Sequence, residues 1–224
     1  MLREMMVTQN TIILALTETH LRKEILEAEI NIAGYGIFRA DRCEDRPKGG
    51  VAIYIRDDII AHSSVLLSGS TGTIEYLMIH IKTWNLVVIN VYRSPPAVAS
   101  DFLPVIADLK AQVLGMRPEP SILMVGDFNM PHTNWESGEI SGGGREEREQ
   151  ASCMLDLASD LMLTQTVDIP TRGRNTLDLV FTNDDDLIMK IGAEDIIMSD
   201  YRIVLVECRN TPYEPKTRPR SRIQ

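Results

Sequence analysis

Cysteine is scarce in this chain and badly spaced for any joint role. Cys43, Cys153 and Cys208 are odd in number and far apart, which suggests neither a disulfide framework nor a zinc site. Long apolar runs are absent as well. None approaches the ~20 residues that span a bilayer, and no charged-then-apolar leader opens the chain. A nuclear or cytoplasmic setting is therefore expected, not secretion or a membrane. Excess positive charge is also lacking. The formal net charge of −9 argues against a protein that grips nucleic acid through its overall field, although it leaves room for a local basic face. Clustered acids have a further use, as ligands whose charge is neutralised only when a metal binds.

What is present is ordinary for a globular chain. The 224 residues, 44% hydrophobic and 25% charged, suffice for one sizeable α/β domain or two small ones. The sequence carries no internal repeat and no clear second domain. From Arg209 onward, Arg209, Lys216, Arg218, Arg220 and Arg222 stand against the single acid Glu214, among Pro212, Pro215 and Pro219. That composition predicts one domain over 1–208 and a basic, unstructured tail or linker over 209–224.

One stretch organises the rest: Ser121-Ile-Leu-Met-Val-Gly-Asp127-Phe-Asn129-Met-Pro131. Four unbroken apolar residues, Ile122 to Val125, read as a strand buried on both faces. Gly126 ends the run and Pro131 stops a hydrogen-bonded continuation. Asp127 and Asn129 thus sit where a buried strand emerges, the place where open α/β sheets put their chemistry. A polar loop tip closed by an Asx turn is the plainer reading of the same residues.

Other strand ends repeat the pattern. Ile12 to Leu16 reads as a buried strand ending in Thr17-Glu18-Thr19, although Glu18 also suits a helix N-terminus. Leu86 to Val91 runs into Tyr92-Arg93-Ser-Pro-Pro96. Asp178 lies inside the alternating stretch Asn175 to Asn183, and Asp200 and Tyr201 precede a strand at Ile203 to Val206. Further strands are expected at Val51 to Ile55, Ser63 to Leu67 and Ile74 to Ile81. Helices are expected over Met1 to Gln9 (Leu2, Met5 and Met6 inward), around Leu21, Ile25 and Ala28, over Phe102 to Val113 with Ser100 or Asp101 as cap, and over Ala151 to Leu161. Arg39 to Lys48 reads as a charged loop leading to Gly49-Gly50. Short turns between neighbouring strands imply antiparallel or mixed pairing, and two packed sheets flanked by helices would cover the apolar strands.

The motifs Leu16-Thr-Glu18-Thr, Arg39-x-Asp-Arg with Gly49-Gly-Val-Ala-x-Tyr54, Asn90-x-Tyr92-Arg, Gly126-Asp-Phe-Asn129, Thr176-Leu-Asp178-Leu-Val-Phe and Ser199-Asp200 occur in that order. Over Ile12 to Val206 the chain resembles the endonuclease/exonuclease/phosphatase superfamily, and more narrowly the endonuclease domain of non-LTR (LINE-type) retrotransposons, relatives of the apurinic endonucleases. The resemblance implies an α/β fold of the DNase I type, a four-layer α/β sandwich of two packed mixed sheets flanked by helices. It implies a Mg²⁺ site (Mn²⁺ as the alternative) with Glu18 and Asp127 as ligands. Asp127 and Asn129 would orient water and hold phosphate, Tyr92 and Arg93 would contact phosphate, and Asp178 would tune the site. Asp200 precedes the family's histidine, for which Tyr201 stands here. Apart from the resemblance, a basic rim of Arg39, Arg42, Arg172 and Arg174 would favour nucleic acid over a small or lipid phosphate.

The partners implied are DNA, through its phosphates, and a reverse transcriptase domain in a longer parent protein. The chain departs from the family twice. Tyr201, with a reference pKa of about 10, replaces neither the base nor the cation that a histidine supplies. The residues before Ile12 read as helix where the family has a strand bearing an Asn near the metal. His20, His62, His80 and His132 lie away from the motif. Two other readings share the fold: a phosphatase on a small or lipid phosphate, and a binding module without activity.

Overall fold

The computed structural model describes residues 2–42, 48–95, 97–195 and 202–208. The elements in chain order are α1 (Leu2–Thr8), β1 (Ile13–Thr17), α2 (Glu27–Ile30), β2 (Tyr35–Ala40), β3 (Val51–Arg56), α3 (Asp57–Ile60), β4 (Ser63–Ser70), β5 (Ile74–Ile81), β6 (Leu86–Arg93) and α4 (Ala99–Leu114). There follow β7 (Ser121–Asp127), β8 (Thr133–Asn134), β9 (Glu139–Ile140), α5 (Arg145–Asp160), β10 (Thr164–Gln165), β11 (Asp178–Thr182), β12 (Ile188–Asp195) and β13 (Arg202–Cys208).

The apolar runs form two sheets. One has six strands in the order β10-β11-β7-β6-β5-β4, the other three in the order β1-β3-β2. Within the larger sheet β6 and β7 run parallel, with α4 as the crossover, and the remaining neighbours are antiparallel. All eight residues of β6 are buried, as a central strand covered on both faces requires.

Strand alternation sorts the side chains into layers. Leu77, Ile79, Leu86, Val88 and Tyr92 face Val51, Ile53 and Ile55 of the smaller sheet. Met78, Val87, Ile89 and Val91 face the other way, under Phe102, Ile106 and Leu109 of α4 and Met154 and Leu157 of α5. On the outside of the smaller sheet, Met6 of α1 packs on Leu14, Tyr35 and Tyr54. The order is helix, sheet, sheet, helices: the four-layer sandwich. The β12–β13 ribbon lays Ile191, Val204 and Val206 against the core between the sheets.

Several expectations change. The apolar spacing at Leu21, Ile25 and Ala28 yields only the single turn α2, and Ala28 is exposed. Glu18 and His20 take left-handed backbone just before it (φ 51° and 54°), and a helix of four residues does not nucleate alone. Residues Tyr35 to Ala40 form a strand, so Arg39 belongs to β2 and not to the charged loop. Gly36 within it leaves room for Ile60, whose Cδ1 lies 2.3 Å from where a Cβ would stand. Helix α4 starts after Val98 with no side-chain cap. The amide of Ala99 instead donates to Glu146 of α5 at 2.6 Å, and Asp101 accepts from the Thr73 hydroxyl at 2.6 Å. Asp200 and Tyr201, residues 43–47 of the charged loop, and 209–224 lie outside the described residues.

Candidate active site

Register places the polar residues in a line. Glu75 of β5 is the partner of Tyr92 in β6, Tyr92 of Asp127 in β7, and Asp127 of Asp178 in β11. Residues paired across neighbouring strands share a face, so Glu75, Tyr92, Asp127 and Asp178 form a transverse row facing the smaller sheet. A glycine makes the row close. A Cβ on Gly126 would stand 1.8 Å from the Val91 carbonyl oxygen, and its φ is +147°. Only glycine lets β7 approach β6 this way.

Glu18 enters from the smaller sheet, one residue beyond β1. The Tyr92 hydroxyl donates to its carboxylate. Asn90, fully buried two residues before Tyr92, spans the sandwich: its Nδ2 donates to the carbonyls of Leu16 at 2.9 Å and Ala52 at 3.2 Å. That amide ties β1 and β3 to β6 and so fixes where Glu18 emerges.

The acids strain against one another. Asp127, 1% exposed, has its pKa pushed up to about 7, first by burial and then by the Asp178 carboxylate, with Glu18 adding to the rise. The Asn129 amide, donating to Asp127 Oδ1 at 3.1 Å, opposes the shift. That bond is an Asx turn, so the plain reading of Asp-x-Asn and the functional one describe the same geometry. Burial also raises Asp178, against the pull of the Thr171 hydroxyl and Arg172, and its Oδ2 is buried without a partner. Burial and the Glu18 contact hold the Tyr92 phenol well above its usual pKa, so it acts as a donor.

Among the described residues no three of His, Cys, Asp and Glu converge on one point. The donors at hand are oxygens: Glu18, Asp127, and the orphaned Oδ2 of Asp178 nearby. Such a set fits a hard cation held by one or two carboxylates with water completing its shell, the habit of Mg²⁺.

The four arginines are placed differently from one another, and Arg93 and Arg39 differently from expectation. Arg93 is 2% exposed. It points to the helix face, where Nε donates to Gln150 at 2.6 Å and Nη1 to the carbonyls of Phe128 at 3.3 Å and Asn129 at 3.0 Å. Asn129 returns a bond from Nδ2 to the Arg93 carbonyl at 2.8 Å. Arg93 is thus an anchor for the loop after β7, because its neighbour Tyr92 already occupies the opposite face. Arg39 lies 3.3 Å from Asp41 and donates to the Arg22 carbonyl at 3.3 Å, so it braces the loop and offers no open rim. Arg172 and Arg174 are exposed on a tight turn around Gly173, beside Asp178.

Two residues of this region are not among the sequence candidates. Asn90 stands in a motif with no role assigned to it, and Glu75 lies inside the apolar run of β5. A charge or amide interrupting an unbroken apolar strand is the signal that marks both, because such a group is buried only with partners.

This fold and this site carry the class. The model of the Endonuclease/Exonuclease/phosphatase family matches residues 1–200, and the chain belongs to that family. Among solved structures it is similar to the endonuclease domain of TRAS1, a telomere-specific non-LTR retrotransposon, at 18% identity and a TM-score of 0.59, over 93% of this chain and 90% of that one. The Xenopus laevis APE2 catalytic domain gives 13% identity and a TM-score of 0.66, over 96% and 88%. The AP endonuclease LMAP from Leishmania major gives 14% and 0.60, over 94% and 82%. At these identities the likeness shows the fold alone. No curated protein matches the chain. No helix among the described residues is long and apolar enough to cross a membrane.

Proposed function

We propose that the chain is a divalent-metal-dependent phosphodiesterase, a DNA endonuclease domain of retrotransposon type. The observation that carries this reading is the row Tyr92–Asp127–Asp178 faced by Glu18: carboxylates forced together, one oxygen orphaned, with a phenol donor beside Asp127 and bonded to Glu18. Glu18 and Asp127 would hold Mg²⁺, with Mn²⁺ as substitute. When bound, the metal supplies a Lewis acid for the phosphate and for the departing oxygen. Asp127, with Oδ1 fixed by the Asn129 amide, keeps its second oxygen to orient the attacking water. Tyr92 stays protonated; its one hydrogen, held by Glu18 without metal, would turn to a phosphate oxygen once a metal takes that carboxylate and charge grows there. Asn129 has one amide hydrogen on the Arg93 carbonyl and a second for the substrate. Arg172 and Arg174 would take DNA phosphates, and 209–224 would lead to a reverse transcriptase domain in a longer parent protein.

Tyr201 favours a second reading, a binding module of the same fold, since losing a base or phosphate donor costs ~10²–10⁴ in rate. The test is nicking of supercoiled DNA with Mg²⁺ or with chelator, by wild type and by Tyr201→His. Slow, metal-dependent nicking that Tyr201→His accelerates is the expected result. A folded, metal-bound Tyr201→His protein that cuts nothing would overturn the nuclease reading.

A further inference from the structure

Glu75 is fully buried in β5, yet it is the hub of the loops around the acids. Its carboxylate accepts from Arg42 Nε at 2.6 Å and Nη2 at 2.8 Å, from the Ser70 hydroxyl at 3.0 Å, and from the Gly50 amide at 3.3 Å. The two-pronged pairing fixes the guanidinium plane, and that plane carries its carbon 5.5 Å from the centre of the Tyr92 ring. On the other side, Gly50 and Gly49 accept from the amides of Thr19 at 3.3 Å and His20 at 2.8 Å. The packing there is tight. A Cβ on Gly50 would meet Thr19 Oγ1 at 2.6 Å, and one on Gly49 would meet Arg42 Nε at 2.3 Å. One carboxylate therefore reaches both ends of the Tyr92–Glu18 hydrogen bond, the phenol through Arg42 and the acid through Gly50.

Stability alone gives little reason for this arrangement. Burying an ion pair costs desolvation that its attraction barely repays, and apolar replacements of similar volume are often as stable. An apolar pair, however, would neither hold the Gly50 amide nor keep a cation over the Tyr92 ring. Arg42 also needs restraint, because a loose guanidinium near the Tyr92 ring, whose hydroxyl is bonded to Glu18, would be free to compete with a metal for that carboxylate.

We propose that Glu75, acting through Arg42, is a positioning pair for the metal site: it sets the place of the Glu18 carboxylate and the direction of the Tyr92 hydroxyl. The inference rests on the metal-dependent reading above.

The experiment measures Mn²⁺ binding by the electron paramagnetic resonance of the free ion, together with the melting temperature without metal. It compares wild type, Glu75→Gln and Arg42→Lys. The Lys variant keeps the charge and gives up the planar fork, so it separates geometry from charge. Both variants are expected to bind Mn²⁺ 10- to 100-fold more weakly, the usual effect of losing a group that orients a ligand. Unchanged affinity in both, or a loss confined to Glu75→Gln, overturns the positioning role, whatever happens to the melting temperature. Should Glu75→Gln not fold, Arg42→Lys decides alone. If wild type binds no Mn²⁺, the metal reading itself falls and this inference with it.

Discussion

Replacing Asp127 by Asn should make the metal-free protein more stable while removing its activity. The acid titrates near pH 7 in the fold against an ordinary value of 3.8, so the fold prefers it uncharged. Its neutral form contributes stability that is fully present below pH 4 and is lost as pH rises through 7. A gap of ~3 units at ~1.4 kcal/mol each puts the loss at about 4 kcal/mol by pH 8, and about 2 kcal/mol at pH 5. Asparagine has no charge to bury, and its Oδ1 still accepts from the Asn129 amide. Urea denaturation at pH 5 and pH 8, with and without Mg²⁺, measures this directly. Without metal the variant should lead wild type at pH 8, with a smaller lead at pH 5. At an m of roughly 2 kcal/mol/M, the midpoint gap at pH 8 approaches ~2 M. Added Mg²⁺ should stabilise wild type and close the gap, because it binds the folded carboxylate. A lead that does not grow between pH 5 and pH 8, or an equal Mg²⁺ response in both proteins, would refute the argument that acid crowding is relieved by a cation.

Glu18→Ala should blunt the rise of melting temperature with Mg²⁺, and a shift equal to that of wild type would remove Glu18 from the metal shell. Arg172→Ala and Arg174→Ala should each lower the slope of log affinity for DNA against log salt by about one, uniformly across sequences, in a fluorescence anisotropy titration. Gly126→Ala should cost at least ~2–3 kcal/mol in thermal unfolding, because its Cβ would collide with the Val91 carbonyl 1.8 Å away; a neutral effect would mean that β6 and β7 are not locked together as described.

The fold was legible where strands are central. Ile74 to Ile81 coincides with β5 residue for residue, since a strand covered on both faces reads as an apolar run with sharp ends. Strands at the margins were not legible. β2 is broken by Gly36 and Arg39, and β12 mixes Lys190, Gly192, Glu194 and Asp195 into its eight residues, so neither shows a clean period of two. They form because neighbours supply the ladder, β3 for one and β13 for the other. The α4 cap was misplaced for a similar reason. Ser100 and Asp101 have the right chemistry, but Glu146, 47 residues further along the chain, reaches the first free amide.

The site shows where pattern stops being enough. Tyr92 and Arg93 stand side by side in a motif, and a linear reading gives both to the phosphate. Alternation along a strand forbids it: with Tyr92 facing the smaller sheet, Arg93 must face α5, where it is bonded to Gln150. The same rule, applied across strands and not along one, assembles Glu75, Tyr92, Asp127 and Asp178 into a single row from four separate stretches of sequence. That row also explains why the acids are tolerable. Their mutual repulsion is borne by β6 and β7, which the Val91–Gly126 approach locks together, and by Asn90, which pins the opposite sheet. A rigid frame of this kind keeps charge where a cation can use it. It follows that substitutions loosening the frame, at Gly126 or Asn90, should weaken metal binding even though neither residue offers the metal a ligand.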